Sequence, residues 1–240
     1  MDIDKKERFR EIINNAKHAV FFGGAGVSTA SGIPDFRSAD GIFVKGGVLN
    51  PEEVVSDRFF FRYPDDFYAF YKEKMLFPHI KPNAAHVKLA EWEQEGKIKA
   101  VITQNIDGLH QKAGSKNVIE LHGSSLRNYC LNCYKRFDLD YVYNYKGTPK
   151  CDNCGGLIKP DVVLYGESLD SEVLSRADYE IKHADVLIVG GTSLAVYPAA
   201  AFVYNFSGEH LIVVNNSPTG ADESAELVFR EDIASLFASL

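Results

Sequence analysis

The stretch that most restricts what this chain can become is Ala19-Val20-Phe21-Phe22 followed by Gly23-Gly24-Ala25-Gly26. Four apolar residues ending in glycines read as a buried strand that turns sharply, and Ser28, Thr29 and Ser31 supply hydroxyls suited to capping a helix just beyond. Strand, tight turn and helix N-terminus together outline a phosphate cradle. Gly24 and Gly26 would let the backbone approach a pyrophosphate, and the unpaired N–H groups behind them would favour an anion. The dinucleotide fingerprint is incomplete, because Thr29 stands where its third glycine falls, and two close glycines after a strand also serve as a plain turn. Gly32-Ile33-Pro34-Asp35-Phe36-Arg37 then sets a rigid turn, a carboxylate, an aromatic ring and a guanidinium in consecutive positions. Such a loop would overhang whatever the glycines bind.

The same plan recurs along the chain. Ile98 to Thr103 reads as a strand running into Gln104-Asn105-Ile106-Asp107, Val118 to Leu121 into His122-Gly123, Ala184 to Val189 into Gly190-Gly191-Thr192-Ser193, and Leu211 to Val214 into Asn215-Asn216. Helical periodicity over 4–17 and 84–95 lies between them, so the fold class is α/β, a doubly wound, Rossmann-like parallel sheet. Every polar cluster sits at the carboxyl end of a strand, where an open sheet of this class places its site. Residues 41–82 crowd Phe59, Phe60, Phe61, Phe67, Phe70 and Tyr71 around prolines with little basic interleaving, which reads as the core of an inserted helical lobe rather than a base-stacking platform.

Length and charge narrow the classes further. At 240 residues the chain has room for one substantial domain, or a larger and a smaller one sharing a cleft. A net charge of -7 argues against nonspecific nucleic-acid binding, which needs a basic surface to displace counterions. The N-terminal stretch is charged where a signal peptide has its apolar core, and no run approaches the ~18 apolar residues of a spanning helix. A cytoplasmic protein without membrane partners is expected.

All four cysteines fall in two pairs, Cys130-Leu131-Asn132-Cys133 and Cys151-Asp152-Asn153-Cys154, with 17 residues between them. That spacing suits a tetrahedral zinc ion held by four thiolates. Two disulfides or a redox dithiol are the alternatives, but a cytoplasmic chain keeps thiols reduced and a redox motif needs no matching second pair. With four protein ligands the ion, one per chain, would be structural, tying down a ribbon from about Arg127 to Ile158.

Taken together, the glycine loop, the stretch Ser31 to Arg37, the run Gln104 to Asp107 and His122-Gly123 resemble the motifs of the sirtuin family, NAD-dependent protein lysine deacylases. The resemblance extends from about residue 10 to the C-terminus. It implies that residues 1–38, 84–126 and 159–240 form an NAD-binding domain, with the helical module 39–83 and the ribbon 127–158 as a smaller one. It also implies that NAD is consumed: the acyl oxygen of an acyl-lysine displaces nicotinamide, His122 acts as general base on the ribose hydroxyls, and lysine and O-acyl-ADP-ribose are released. An imidazole suits that task because it titrates near neutral pH.

Residue by residue, the family pattern assigns Gly24, Ala25, Gly26, Ser28 and Thr29 to the phosphate and ribose loop, and Asp35, Phe36 and Arg37 to the loop over the reactive ribose. Gln104, Asn105, Ile106 and Asp107 match the nicotinamide and ribose pocket, with Asn105 counted beside His122 as catalytic. Gly191, Thr192, Ser193, Asn215 and Ile233 match adenosine and phosphate contacts. The acyl-lysine peptide is expected as a strand between Val162-Val163-Leu164-Tyr165-Gly166-Glu167 and the segment Gly191 to Tyr197, which includes Leu194 and Val196. Two departures stand out. Gly23 replaces a threonine common before the glycine loop, and Tyr71 with Lys74 stands where members that take acidic acyl groups carry tyrosine and arginine. Lysine is a point charge rather than a fork, so neutral acyl chains are the expected substrates. Competing readings are a mono-ADP-ribosyltransferase using the same pocket and a zinc-ribbon binding module without catalysis.

Overall fold

The computed structural model describes residues 2–35, 41 and 51–240. Phe36 and Arg37 lie outside the described residues. Strands β1 (Ala19–Gly23), β2 (Ile98–Thr103) and β3 (Val118–Glu120) come first, then β4 (Gly123–Cys130), β5 (Arg136–Asp138) and β6 (Ile158–Val162), then β7 (Val186–Gly190), β8 (His210–Val214) and β9 (Leu227–Phe229). Six of them form one parallel sheet in the order β3-β2-β1-β7-β8-β9. The chain winds from β1 outward to β3 on one side and from β7 outward to β9 on the other. The connections therefore leave β1 and β7 in opposite directions, and a crevice opens beyond their carboxyl ends.

Both faces of the sheet are covered, which is why β1 and β7 are buried at every residue and read as unbroken apolar runs. On one face Phe21, Val101, Ile188 and Ile212 pack against Phe9, Ile12 and Ile13 of the helix Asp2–Asn15, Leu89 and Trp92 of Ala84–Gln94, and Phe237 of Ile233–Ala238. On the other, Val20, Phe22, Ile102 and Val189 meet Ala177 and Ile181 of the helix Ser171–His183 and Ala200 and Val203 of Ala199–Tyr204. No helix among the described residues is long and apolar enough to cross a membrane.

The remaining strands make an antiparallel sheet, β5-β4-β6. It reaches back to Gly123, four residues earlier than the expected start of the ribbon, because β4 pairs with β6 from Gly123 opposite Val162 onward. Phe60, Phe67, Tyr68 and Tyr71 of the aromatic-rich helices share one cluster with Cys130, Phe137, Cys151 and Ile158 of the ribbon. The Tyr68 hydroxyl donates to the Ile158 carbonyl at 2.6 Å, so neither part completes its core without the other.

His86 and His110 are fully buried with ring centroids 4.7 Å apart, under the sheet face that presents Phe21. Burial pushes His86 down to about 4 and His110 well below its ordinary value, the latter opposed further by His86 itself. In the unfolded chain both take up protons near the ordinary 6.5. The unfolded state therefore binds more protons below that pH, and stability present above it is lost progressively as pH falls towards 4. His86 alone accounts for about 3 kcal/mol across that window. The urea midpoint is expected to be clearly lower at pH 5 than at pH 7; equal midpoints would contradict this burial.

Candidate active site

The carboxyl ends of β1, β2, β7 and β8 open on a cavity of about 870 Å³. The loop after β1 forms its floor, with a correction to the expected helix N-terminus: two short 3-10 turns stand there, Ala25–Val27 and Thr29–Ser31, and the Ser28 side chain caps neither. Its hydroxyl donates instead to Asp107 Oδ2 at 2.7 Å, and that of Thr29 to the Gly26 carbonyl at 2.9 Å. Gly32, with φ +96, ends the second turn, and Pro34 lacks the N–H a continuing helix needs.

The glycines have a reason beyond ligand approach. Gly24 N–H donates to the Gly190 carbonyl at 3.2 Å and Gly26 N–H to the Gly191 carbonyl at 2.8 Å, so the loops after β1 and β7 cross in contact. A Cβ on Gly26 would lie 2.8 Å from Gly191 Cα, and one on Gly191, at φ +58, 2.3 Å from the Val27 nitrogen. From outside, Asn83 pins the loop: its Nδ2 donates to the Val27 carbonyl at 2.8 Å and to Ser31 Oγ at 3.0 Å while Oδ1 caps the helix Ala84–Gln94. Sequence reasoning missed Asn83, although an asparagine directly before a helix is a readable cap.

Beyond β2 the chain bends at Thr103, whose hydroxyl accepts the Asn105 N–H at 3.0 Å. Asn105 Nδ2 then donates to the Gly24 carbonyl at 3.0 Å and to Ser28 Oγ at 3.2 Å, and Gln104 Nε2 to Thr192 Oγ1 at 3.1 Å. Three loops are thereby joined by two amides that carry no charge of their own. Burial raises the Asp107 carboxyl above its ordinary value, against the Leu109 N–H and Ser28 hydroxyl that both stabilise its ionised form.

His122 lies in the turn between β3 and β4, which ends its strand one residue sooner than expected. Gly123 behind it has φ +74, and a Cβ there would stand 2.1 Å from the Asp161 carbonyl oxygen. The imidazole lines the cavity, with Nδ1 at 3.0 Å from the Gln104 carbonyl. A carbonyl can only accept, so Nδ1 carries the proton and Nε2 presents its lone pair. Burial lowers the pKa of His122, partly offset by that same hydrogen bond, and the ring stands neutral at physiological pH.

The cavity wall brings together Gly24, Ala25, Gly26, Ser28, Thr29, Asp35, Gln104, Asn105, Ile106, Asp107 and His122 with Gly191, Thr192, Ser193, Asn215 and Ile233. Val162 to Gly166 and Val196 line it as well. Leu194 is not on the wall; it is buried in the sheet's core at φ +53. Tyr71 is also off the wall, buried with its ring stacked on Phe67 at 5.3 Å, and Lys74 is exposed and pairs with Glu73 at 2.7 Å. Val55, Met75 and Phe77 line the cavity unforeseen. Their local sequence carries no signal, since an apolar residue facing a cavity and one facing a core obey the same periodicity.

At the far end of the ribbon the four cysteine sulfurs lie within 4.8 Å of one another. Cys130 and Cys154 are 3.4 Å apart and Cys133 and Cys151 3.6 Å, with no disulfide among them. Tetrahedral Zn–S bonds of about 2.3 Å require roughly 3.8 Å between sulfurs, so the donor set fits zinc.

A family model described as "Sir2 family" matches residues 24–198. This chain belongs to the Sir2 family. It is 54% identical over 240 residues, 99% of this chain and 98% of the relative, to the NAD-dependent protein deacetylase of Clostridium perfringens. A Sir2 structure with a deacetylated p53 peptide and 3'-O-acetyl-ADP-ribose superposes with a TM-score of 0.89 at 40% identity, covering 98% of this chain and 96% of that one. A second Sir2 structure, with a p53 peptide and NAD+, gives 0.87 at 40% identity over the same shares. The parallel sheet, crossed glycine loops, His122 and cysteine cluster are thus seen in a Sir2-family member.

Proposed function

We propose that this Sir2-family chain is an NAD-dependent protein deacetylase, transferring the acyl group of an acyl-lysine to ADP-ribose with release of nicotinamide. The observation that carries the reading is His122: a neutral imidazole on the cavity wall, its Nδ1 held by a carbonyl and its Nε2 available as a base. When bound, NAD supplies an electrophilic ribose carbon and the hydroxyl that accepts the acyl group. Gly24, Ala25, Gly26, Ser28 and Thr29 would hold its phosphates and ribose, with Gly191, Thr192, Ser193, Asn215 and Ile233 towards the adenosine. Gln104, Asn105, Ile106 and Asp107 would hold the nicotinamide end. Asn105 orients without titrating, because its amide is already fixed on Gly24 and Ser28. His122 then takes a hydroxyl proton at Nε2, where general-base catalysis contributes most when the pKa lies near working pH.

The peptide docks between Val162–Gly166 and the segment around Val196, both on the cavity wall. The N–H groups of Val163, Leu164 and Tyr165 are already committed to His122, Glu167 and Val55, so an added strand draws on none of these three donors without displacing a partner. The helical module, of which residues 41 and 51–83 are described, and the ribbon, whose sheet runs from Gly123 to Val162, would form the smaller domain, with zinc holding the ribbon. The reduced thiols of such a site favour the cytoplasm as its location.

Among the described residues, the cavity wall includes no lysine or arginine. A buried acyl carboxylate would be uncompensated there, and acetyl-lysine is expected to be turned over at least ~10-fold better than succinyl-lysine in kcat/KM. Comparable rates on matched peptides would contradict that. Nicotinamide release is expected to require the acyl-peptide; release coupled to modification of protein without one would favour ADP-ribosyl transfer.

A further inference from the structure

The turn that carries the proposed peptide edge is tied down by a buried ammonium. After β6 the residues Leu164–Glu167 close a four-residue turn: Glu167 N–H donates to the Leu164 carbonyl at 3.0 Å, and Gly166 has φ +96, as the third position of a type II turn requires. The Glu167 carboxylate folds back so that Oε2 accepts the Leu164 N–H at 2.8 Å. That oxygen also meets Lys159 Nζ at 3.1 Å, on a side chain only 7% exposed. The ammonium donates further to the Val162 carbonyl at 3.0 Å and, more weakly, to the Pro160 carbonyl at 3.4 Å. Its three donors are all spent inside the strand and turn it anchors.

The turn is in turn bound to the site. Val163 N–H donates to the carbonyl of His122 itself at 3.0 Å, and Tyr165 exchanges backbone hydrogen bonds with Val55 at 3.1 Å and Asp57 at 3.0 Å. Lys159 is not on the cavity wall, so it does not touch what binds there. Burying an ion pair costs desolvation that an apolar side chain of similar volume avoids, and stability alone is a weak reason for a lysine at this place.

We propose that Lys159 is a positioning residue for the acyl-lysine edge: its ammonium sets the height of Val162–Gly166 along the cleft and, through Val163, the backbone of His122. This rests on the deacetylase reading. The residues assigned to NAD are carried by the segments after β1, β2, β7, β8 and β9 rather than by this turn, so the two substrates separate the effect. In K159M, affinity for a fluorescent acetyl-lysine peptide should fall at least ~10-fold while NAD affinity stays within ~2-fold, and K159R should recover most of the loss by keeping charge and donors.

The test is titration of both ligands into zinc-loaded wild-type and variant protein, with thermal unfolding as the check on folding. Peptide affinity unchanged in K159M, or lowered equally for NAD, overturns the assignment. If K159M does not fold, K159Q carries the same test, since it keeps a polar group beside Glu167 but loses the charge and, like K159M, alters no residue of the cavity wall; unchanged peptide affinity there overturns it too. Wild-type protein that binds NAD but no acetyl-lysine peptide would overturn the deacetylase reading and this proposal with it.

Discussion

Replacing His122 by alanine is expected to lower kcat by at least ~100-fold while NAD affinity stays within ~2-fold. That loss corresponds to about 2.7 kcal/mol of transition-state stabilisation. The two effects separate because the imidazole's protein partner is the Gln104 backbone carbonyl, whereas the pocket is held by the side chains of Gln104, Asn105 and Ser28. Truncation removes the base and leaves the amide network in place. The pH dependence follows from the same geometry. Burial holds His122 below its ordinary 6.5, and the neutral form is the active one, so kcat/KM should be level around pH 7 and fall on the acid side, below pH 6.5. Near-wild-type turnover in the alanine variant, or a profile that rises in acid, would remove His122 from the base role.

Loss of the metal is expected to cost more than activity. Cys130 and Cys151 are buried in the cluster that also holds Phe60, Phe67 and Tyr68, so the ribbon's sulfurs support the core of the aromatic helices as well as the ribbon. Structural zinc supplies roughly 10 kcal/mol or more of apparent folding free energy, of the order of a whole domain's stability. Cys151→Ser, or stripping with a strong chelator, should therefore give protein that loses its cooperative thermal transition and aggregates. Wild-type protein should hold about one zinc per chain. A metal-free protein that stays folded and active would contradict a structural role for the site.

How much of this was legible depended on whether the deciding partner was local. The strand Ile98–Thr103 was readable to the residue, because helices cover both faces of the sheet there and its side chains, Lys99 apart, are buried and mostly apolar. So was the cysteine cluster, whose spacing encodes its geometry. The strand Leu227–Phe229 was not, being three residues set between Glu226 and Arg230 and defined by pairing with β8 alone. Local sequence suits Ser28 to a helix cap, but its acceptor, Asp107, is 79 positions away. The local sequence around His18 carries no sign of its partner: Nε2 lies 2.8 Å from Glu180, 162 positions distant. Tyr71 and Lys74 are three residues apart in one helix, and its phase, which the resemblance does not convey, turns one to the core and the other to solvent. His122 is singled out by the resemblance, and its neighbour Gly123, at φ +74, is the residue that makes its turn possible.

The most direct test of the central reading is mass spectrometry of purified protein incubated with an acetyl-lysine peptide, with and without NAD. The site described here predicts NAD-dependent loss of the acetyl group, matched by O-acetyl-ADP-ribose and nicotinamide. A peptide that stays acetylated while NAD is bound, or that yields free acetate without NAD, would contradict it.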